Sequence, residues 1–317
     1  MKIVIMGAGA MGCMFGAKFV KSGQQVVLVD GWKAHVDAIN TNGLTVERNG
    51  ETYNVKIPAT MSAEAARTLL GSCADLVMIF CKGMDTEQFV KNAMPVVDEN
   101  TCFLTLQNGL GNPEIIGRFI PHDRVFFGGA SAGSVLLGPS SIRDTTSDRA
   151  GALIHIMPLD RVINDRCIAA AQVITNAGMC TAAELYAEQY VWEKLSLNCC
   201  VNAPGVLTRL SLKDMTNDRD GFVLYDMIIR EVAAVAQARG VNVDYEHLRS
   251  FVHMAGYKSP HYASMLQDAR NKRPLELSTI TGAIVTEGKQ LGIPTPVNET
   301  ILHLASMISN HYEDQWY

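Results

Sequence analysis

Short apolar runs alternate with amphipathic stretches through the first half of the chain. The runs cover residues 3–6, 26–30, 76–81, 103–106, 125–128 and 153–157, the pattern of βαβ units and a mainly parallel sheet. Asn49-Gly50, flanked by Leu44-Thr-Val-Glu and Tyr53-Asn-Val-Lys, predicts a hairpin inserted into that alternation. Beyond about residue 182 the strand pattern stops. Residues 183–202, 222–239, 277–291 and 299–311 carry apolar positions at helical spacing. The expectation is an α/β domain over 1–182, a doubly wound parallel sheet, followed by an all-helical domain over 183–317. The boundary falls near residues 181–184.

The first run leads into Gly7-Ala8-Gly9-Ala10-Met11-Gly12, a full GxGxxG pattern that opens a helix over 13–22. Gly7 makes the tight turn, Gly9 admits a pyrophosphate close to the backbone, and Gly12 lets helix and strand pack. The helix N-terminus then favours the negative charge. The second run ends in Asp30, 18 residues beyond Gly12. A carboxylate there accepts hydrogen bonds from ribose hydroxyls and repels a 2′-phosphate. A Rossmann-type domain that prefers NAD over NADP is therefore expected. The plainer alternative is that Asp30 caps the following helix.

Composition narrows the class. A chain of 317 residues with 48% hydrophobic and 19% charged residues is an ordinary globular protein of two domains. A net charge of −5 offers no basic footprint, so nucleic acid is not an expected partner. The eight cysteines form no CxxC pair and suit a reducing, cytoplasmic setting better than a disulfide scaffold. The apolar N-terminal stretch is broken by glycines and stopped at Lys18, so it reads as strand, turn and helix rather than a leader or membrane span. No histidine spacing suggests a metal site.

The second domain holds the most telling polar pattern. Lys194, Asn198 and Asn202 recur every four residues on one helical face, among Leu195, Leu197, Cys199, Cys200 and Val201, with Pro204 expected to end the helix. Burying a lysine and two amides is costly without partners. A 2-oxo acid would supply them: amides orient the acid, and the ammonium protonates the carbonyl oxygen. A solvated stripe with Lys194 paired to a nearby acid fits the spacing equally well.

These motifs, together with Lys82, Gln107-Asn108-Gly109, Arg273-Pro274-Leu-Glu276 and Gly292-Ile-Pro-Thr-Pro296-Val-Asn298, resemble the ketopantoate reductases in order and across both domains. The resemblance implies hydride transfer to a small 2-oxo acid, as in pantothenate biosynthesis. It implies that Lys194 is the general acid and Glu276 a second essential group near substrate hydroxyl or ribose. By the same resemblance Asn108 lies where nicotinamide meets substrate, and Asn198, Asn202 and Ser264 hold the 2-oxo acid. Lys82 lines the same cleft, Asp268 supports Ser264, and domain closure about the boundary excludes water.

Read without the resemblance, Lys82 and Asn108 end strand-like runs, where parallel sheets bind ligands. Asn108-Gly109 could equally be a simple turn, and Glu276 a helix N-terminal carboxylate. Where these reductases usually carry a cation for the NADP phosphate, this chain has Asp30-Gly31-Trp32. That departure keeps a second enzyme reading open, an NAD-dependent D-2-hydroxyacid (D-mandelate-type) dehydrogenase. A non-catalytic NAD-binding sensor is a third reading. Amphipathic helices over 222–239 and 299–311 could build a homodimer face or serve an intrachain core.

Overall fold

The computed structural model describes residues 1–146, 153–257 and 260–314. It divides into two compact units, Met1–Gln107 with Asn112–Ala187, and Asn108–Gly111 with Glu188–Tyr317. Among the described residues no helix is long and apolar enough to cross a membrane.

The strands of the first unit are β1 Lys2–Met6, β2 Gln25–Val29, β3 Leu44–Arg48, β4 Glu51–Val55, β5 Ala59–Thr60, β6 Leu76–Ile79, β7 Cys102–Thr105, β8 Val125–Ala130, β9 Ser134–Gly138, β10 Ser141–Asp144, β11 Ile154–Pro158 and β12 Thr181–Ala183. Eight of them form one sheet in the order β12-β11-β8-β7-β6-β1-β2-β5. From β5 to β8 every pairing is parallel, which gives the doubly wound strand order of a Rossmann-type domain. β11 pairs antiparallel with β8, within a sheet that is otherwise mainly parallel, as expected.

The strands read as continuous apolar runs because both faces are covered. Ile3, Ile5, Leu28, Met78 and Leu104 face one core cluster. Val4, Val27, Val77, Ile79 and Phe103 face the other, as a period of two requires.

The expected hairpin is β3–β4, turning through Asn49 (φ 51°) and Gly50 (φ 82°), the backbone of a type I′ turn. It belongs to a second sheet, β4-β3-β10-β9. The pattern had not indicated β9 and β10, since β9 alternates between half-buried and exposed positions without a clear apolar face. A buried ion pair, Lys18 Nζ to Asp144 at 3.0 Å, ties the glycine-turn helix to the end of β10.

The described part of the second unit is helical: Tyr186–Thr208, Leu212–Asn217, Arg219–Ala238, Tyr245–Gly256, Ser264–Arg270, Thr281–Leu291 and Pro296–Asn310. Its core gathers Trp192, Leu195, Cys199, Val232, Leu248, Ile284 and Ile301. Two expectations need correction. Pro204 does not end its helix; the helix continues to Thr208 and stops where Arg209 takes φ 61°. An interior proline costs about 3 kcal/mol, and burial of Cys200, Val201, Ala203 and Val206 on both sides of it favours continuing. The stretch 277–280 is a turn, not helix, because the Thr279 carbonyl accepts from Leu110 N at 2.9 Å and is lost to a helical ladder.

The Gly292–Asn298 motif has a structural account. Glu231 accepts from Val297 N (2.8 Å), Asn298 N (2.9 Å) and Asn298 Nδ2 (2.7 Å). A distant carboxylate thus caps the helix Pro296–Asn310, whose own N-cap Thr295 makes no side-chain cap.

Candidate active site

In the first unit the site is built mainly from backbone. Gly7 adopts φ 101°, and a Cβ on Gly12 would collide with the Gly7 carbonyl. Gly9 is the N-cap of the helix Ala10–Lys21, and a Cβ there would meet nothing within 4 Å. Open space over a helix N-terminus is what a pyrophosphate needs, so the residues fit a dinucleotide. Ala10 and Met11, half-buried, form the first helical positions beside it.

Asp30 follows β2. Its Oδ2 accepts from Ala8 N and its Oδ1 from Trp32 N, both at 2.8 Å. Trp32 is the N-cap of the next helix, Lys33–Asn42, so the carboxylate braces both the glycine turn and that helix start. A pocket of about 460 Å3 beside Asp30 is also lined by Met61, Ser62, Phe89 and Asn92.

Lys82 lies beyond β6, half-buried, at the start of the short turn Gly83–Asp85. Gln107 holds the loops after β6 and β7 together. Its Nε2 donates to Cys81 O (3.0 Å) and Thr86 Oγ1 (2.9 Å), and its Oε1 accepts from Thr105 Oγ1 (2.7 Å). The only sequence signal for Gln107 is its place beside Asn108-Gly109.

Asn108 through Gly111 pack with the second unit. Gly109 takes φ 86°, and a Cβ on it would collide with Thr279 O. Glycine is therefore required by close approach as well as by turn conformation. The Asn108 segment thus rests on the loop that carries Glu276, which is half-buried in the irregular stretch 273–276 rather than at a helix N-terminus.

Along the helix Tyr186–Thr208, Lys194 is half-buried and loss of hydration lowers its pKa from 10.5 to about 8. Asn198 Nδ2, one turn on, is buried with no hydrogen-bond partner among the described residues. Asn202 is fully enclosed. Its Oδ1 accepts from Met265 N (3.2 Å) and Ser264 Oγ (3.3 Å), capping the helix Ser264–Arg270, whose N-cap Ala263 has no capping side chain. Ser264 is exposed at that helix start, and Asp268 is buried one turn later. Glu193, next to Lys194, is buried and bonded to His247 Nε2 at 2.6 Å. A lone carboxylate in an apolar stretch was its only sequence signal.

The family model described as Ketopantoate reductase PanE/ApbA matches residues 3–151, and its C-terminal counterpart matches residues 187–309. The chain belongs to the ketopantoate reductase family. Relatives named 2-dehydropantoate 2-reductase include one from Streptococcus pyogenes serotype M18, 31% identical over 306 residues and 96% of each chain. Another, from Lactococcus lactis, is 27% identical over 96% of each chain. Among solved structures, D-mandelate dehydrogenase with NADH and anilino(oxo)acetate superposes with a TM-score of 0.89 at 26% identity, covering 98% of both chains. A family ketopantoate reductase from Ralstonia eutropha JMP134 gives 0.86 at 27% identity, covering 98% of this chain and 99% of that one. Membership makes this chain a nicotinamide-dependent oxidoreductase.

Proposed function

We propose that the protein is an NAD(H)-dependent reductase of a small 2-oxo acid, with ketopantoate the leading substrate. Dinucleotide binding is assigned to residues 1–182 and substrate chemistry to 183–317. The observation that carries the reading is the pairing of Lys194, its pKa lowered to about 8, with the unpartnered buried amide of Asn198 one turn away. A bound dihydronicotinamide supplies the hydride. Lys194 gives its proton to the substrate's carbonyl oxygen as negative charge develops there; a general acid is most effective with a pKa near the working pH. Asn198 Nδ2 donates to the acid and so gains the partner it lacks within the protein.

Asn202 and Ser264 shape the carboxylate end of the substrate site, and Lys82 offers a cation to the bound ligands. Glu276 and Asn108 hold the substrate hydroxyl and the nicotinamide ribose side. Asp30 accepts from the adenosine ribose hydroxyls with lone pairs its two backbone bonds leave over, and repels a 2′-phosphate. NADP is the alternative cofactor.

A second reading, oxidation of a D-2-hydroxyacid of the mandelate type with NAD, is favoured by Asp30 and by the likeness to a D-mandelate dehydrogenase. The test follows nicotinamide absorbance with NADH and NADPH separately, against ketopantoate, phenylglyoxylate and branched 2-oxo acids. Efficient NADH turnover of ketopantoate is expected. Turnover restricted to the other acids would favour the hydroxyacid dehydrogenase. A higher kcat/KM with NADPH would overturn the role given to Asp30.

A further inference from the structure

His35 lies at the start of the helix Lys33–Asn42, is 1% exposed, and stacks on Trp32 with centroids 5.1 Å apart. Nothing in its local sequence marks it. Ser140 N donates to its Nδ1 at 3.0 Å, so Nδ1 is an acceptor and the ring proton sits on Nε2. Nε2 then donates to Ala8 O at 2.9 Å. The Cys13 thiol donates to the same carbonyl at 3.0 Å. Two buried donors converge on one oxygen of the glycine turn.

A trans peptide is planar, with its carbonyl and N–H pointing opposite ways, and no cis bond occurs among the described residues. Turning the Ala8 carbonyl inward therefore turns the Gly9 N–H outward, on the side where a Cβ of Gly9 would meet nothing. Among the described residues that N–H has no partner within the chain. We propose that His35, assisted by Cys13, aims the Gly9 N–H at the dinucleotide phosphates, making His35 a positioning residue for the cofactor. This rests on the dinucleotide reading of the glycine turn. Burial supports it by lowering the His35 pKa, which keeps the imidazole in the neutral form that can both accept and donate, and by raising that of Cys13, which keeps the thiol protonated.

The experiment is calorimetric titration of the full chain with NADH, for wild type, His35→Phe, His35→Gln and Cys13→Ala, with thermal unfolding of each. Phenylalanine keeps the ring against Trp32 and removes both hydrogen bonds; glutamine retains one donor and one acceptor. His35→Phe is expected to weaken NADH by about tenfold, the worth of one charge-assisted hydrogen bond, with KM for the 2-oxo acid unchanged at saturating NADH. His35→Gln should recover most of that affinity. A folded His35→Phe variant that binds NADH like wild type would overturn the proposal. If that variant does not fold, Cys13→Ala decides: weaker NADH binding supports the proposal and unchanged binding overturns it. Wild type failing to bind NADH at all would sink the dinucleotide reading instead.

Discussion

Around the glycine turn, Asp30, His35, Cys13 and Gln107 are all hydrogen-bonded within their own unit, largely to backbone. Along the helix Tyr186–Thr208 the polar residues divide. Asn202 Oδ1 accepts from Met265 and Ser264, Asn198 Nδ2 is buried without a partner among the described residues, and Lys194 has its charged form disfavoured by burial. In the first region the side chains are bonded before any ligand arrives, which suits the proposed task of aiming backbone donors. The other holds, among the described residues, a buried amide donor on Asn198 that a bound acid would satisfy, as the proposed role in substrate binding requires. Binding there returns the desolvation cost that folding left outstanding.

The largest effect should come from Lys194→Ala. Loss of a general acid lowers kcat by about 10²- to 10⁴-fold, while NADH affinity measured by titration stays as in wild type. Unchanged turnover would break the functional half of the comparison. On the proposed mechanism, reduction in wild type needs Lys194 protonated, so its rate should fall as pH rises through about 8, and a pH–rate profile checks this. The opposite reaction needs the neutral amine and should gain over the same interval.

The two asparagines sharpen the contrast within one helix. Asn198→Ala should raise KM for the 2-oxo acid about tenfold and leave denaturant stability unchanged or raised, since no intrachain bond is lost and a buried donor without a partner is removed. Asn202→Ala should lower stability by about 1–3 kcal/mol by stranding Met265 N–H, seen as a shifted urea midpoint. Equal stability losses would show that Asn198 has a structural partner after all.

The smallest effect concerns the glycine turn. Burial lowers the His35 pKa beneath its unfolded value of 6.5, so the unfolded chain binds this proton more readily. The neutral ring's contribution to stability is complete above pH 6.5 and diminishes as pH falls below it. His35→Phe should have a flatter acid limb than wild type in unfolding curves taken at stepped pH.

The glycine pattern, the central strands and the Lys194–Asn198–Asn202 face were legible because each is written in local spacing: period two, period four, or a fixed turn motif. Pro204 misled because local rules price a proline without counting the core packed on both sides of it. The turn at 277–280 misled because Thr279 O answers Leu110, far away in sequence. His35, Gln107 and Glu231 carried little local signal, and their roles rest mainly on bonds to residues 21 to 105 positions distant.

The sequence by itself determined that a Rossmann-type sheet precedes a helical unit, and that a lysine and two amides share one face. Periodicity encodes such features within a few turns of chain. Only the tertiary structure decided that Asn108–Gly111 packs with the second unit, that Asn202 Oδ1 has partners while Asn198 Nδ2 has none among the described residues, and that His35 reaches Ala8. Whether a buried polar group has a partner depends on distances in space, which spacing along the chain does not carry.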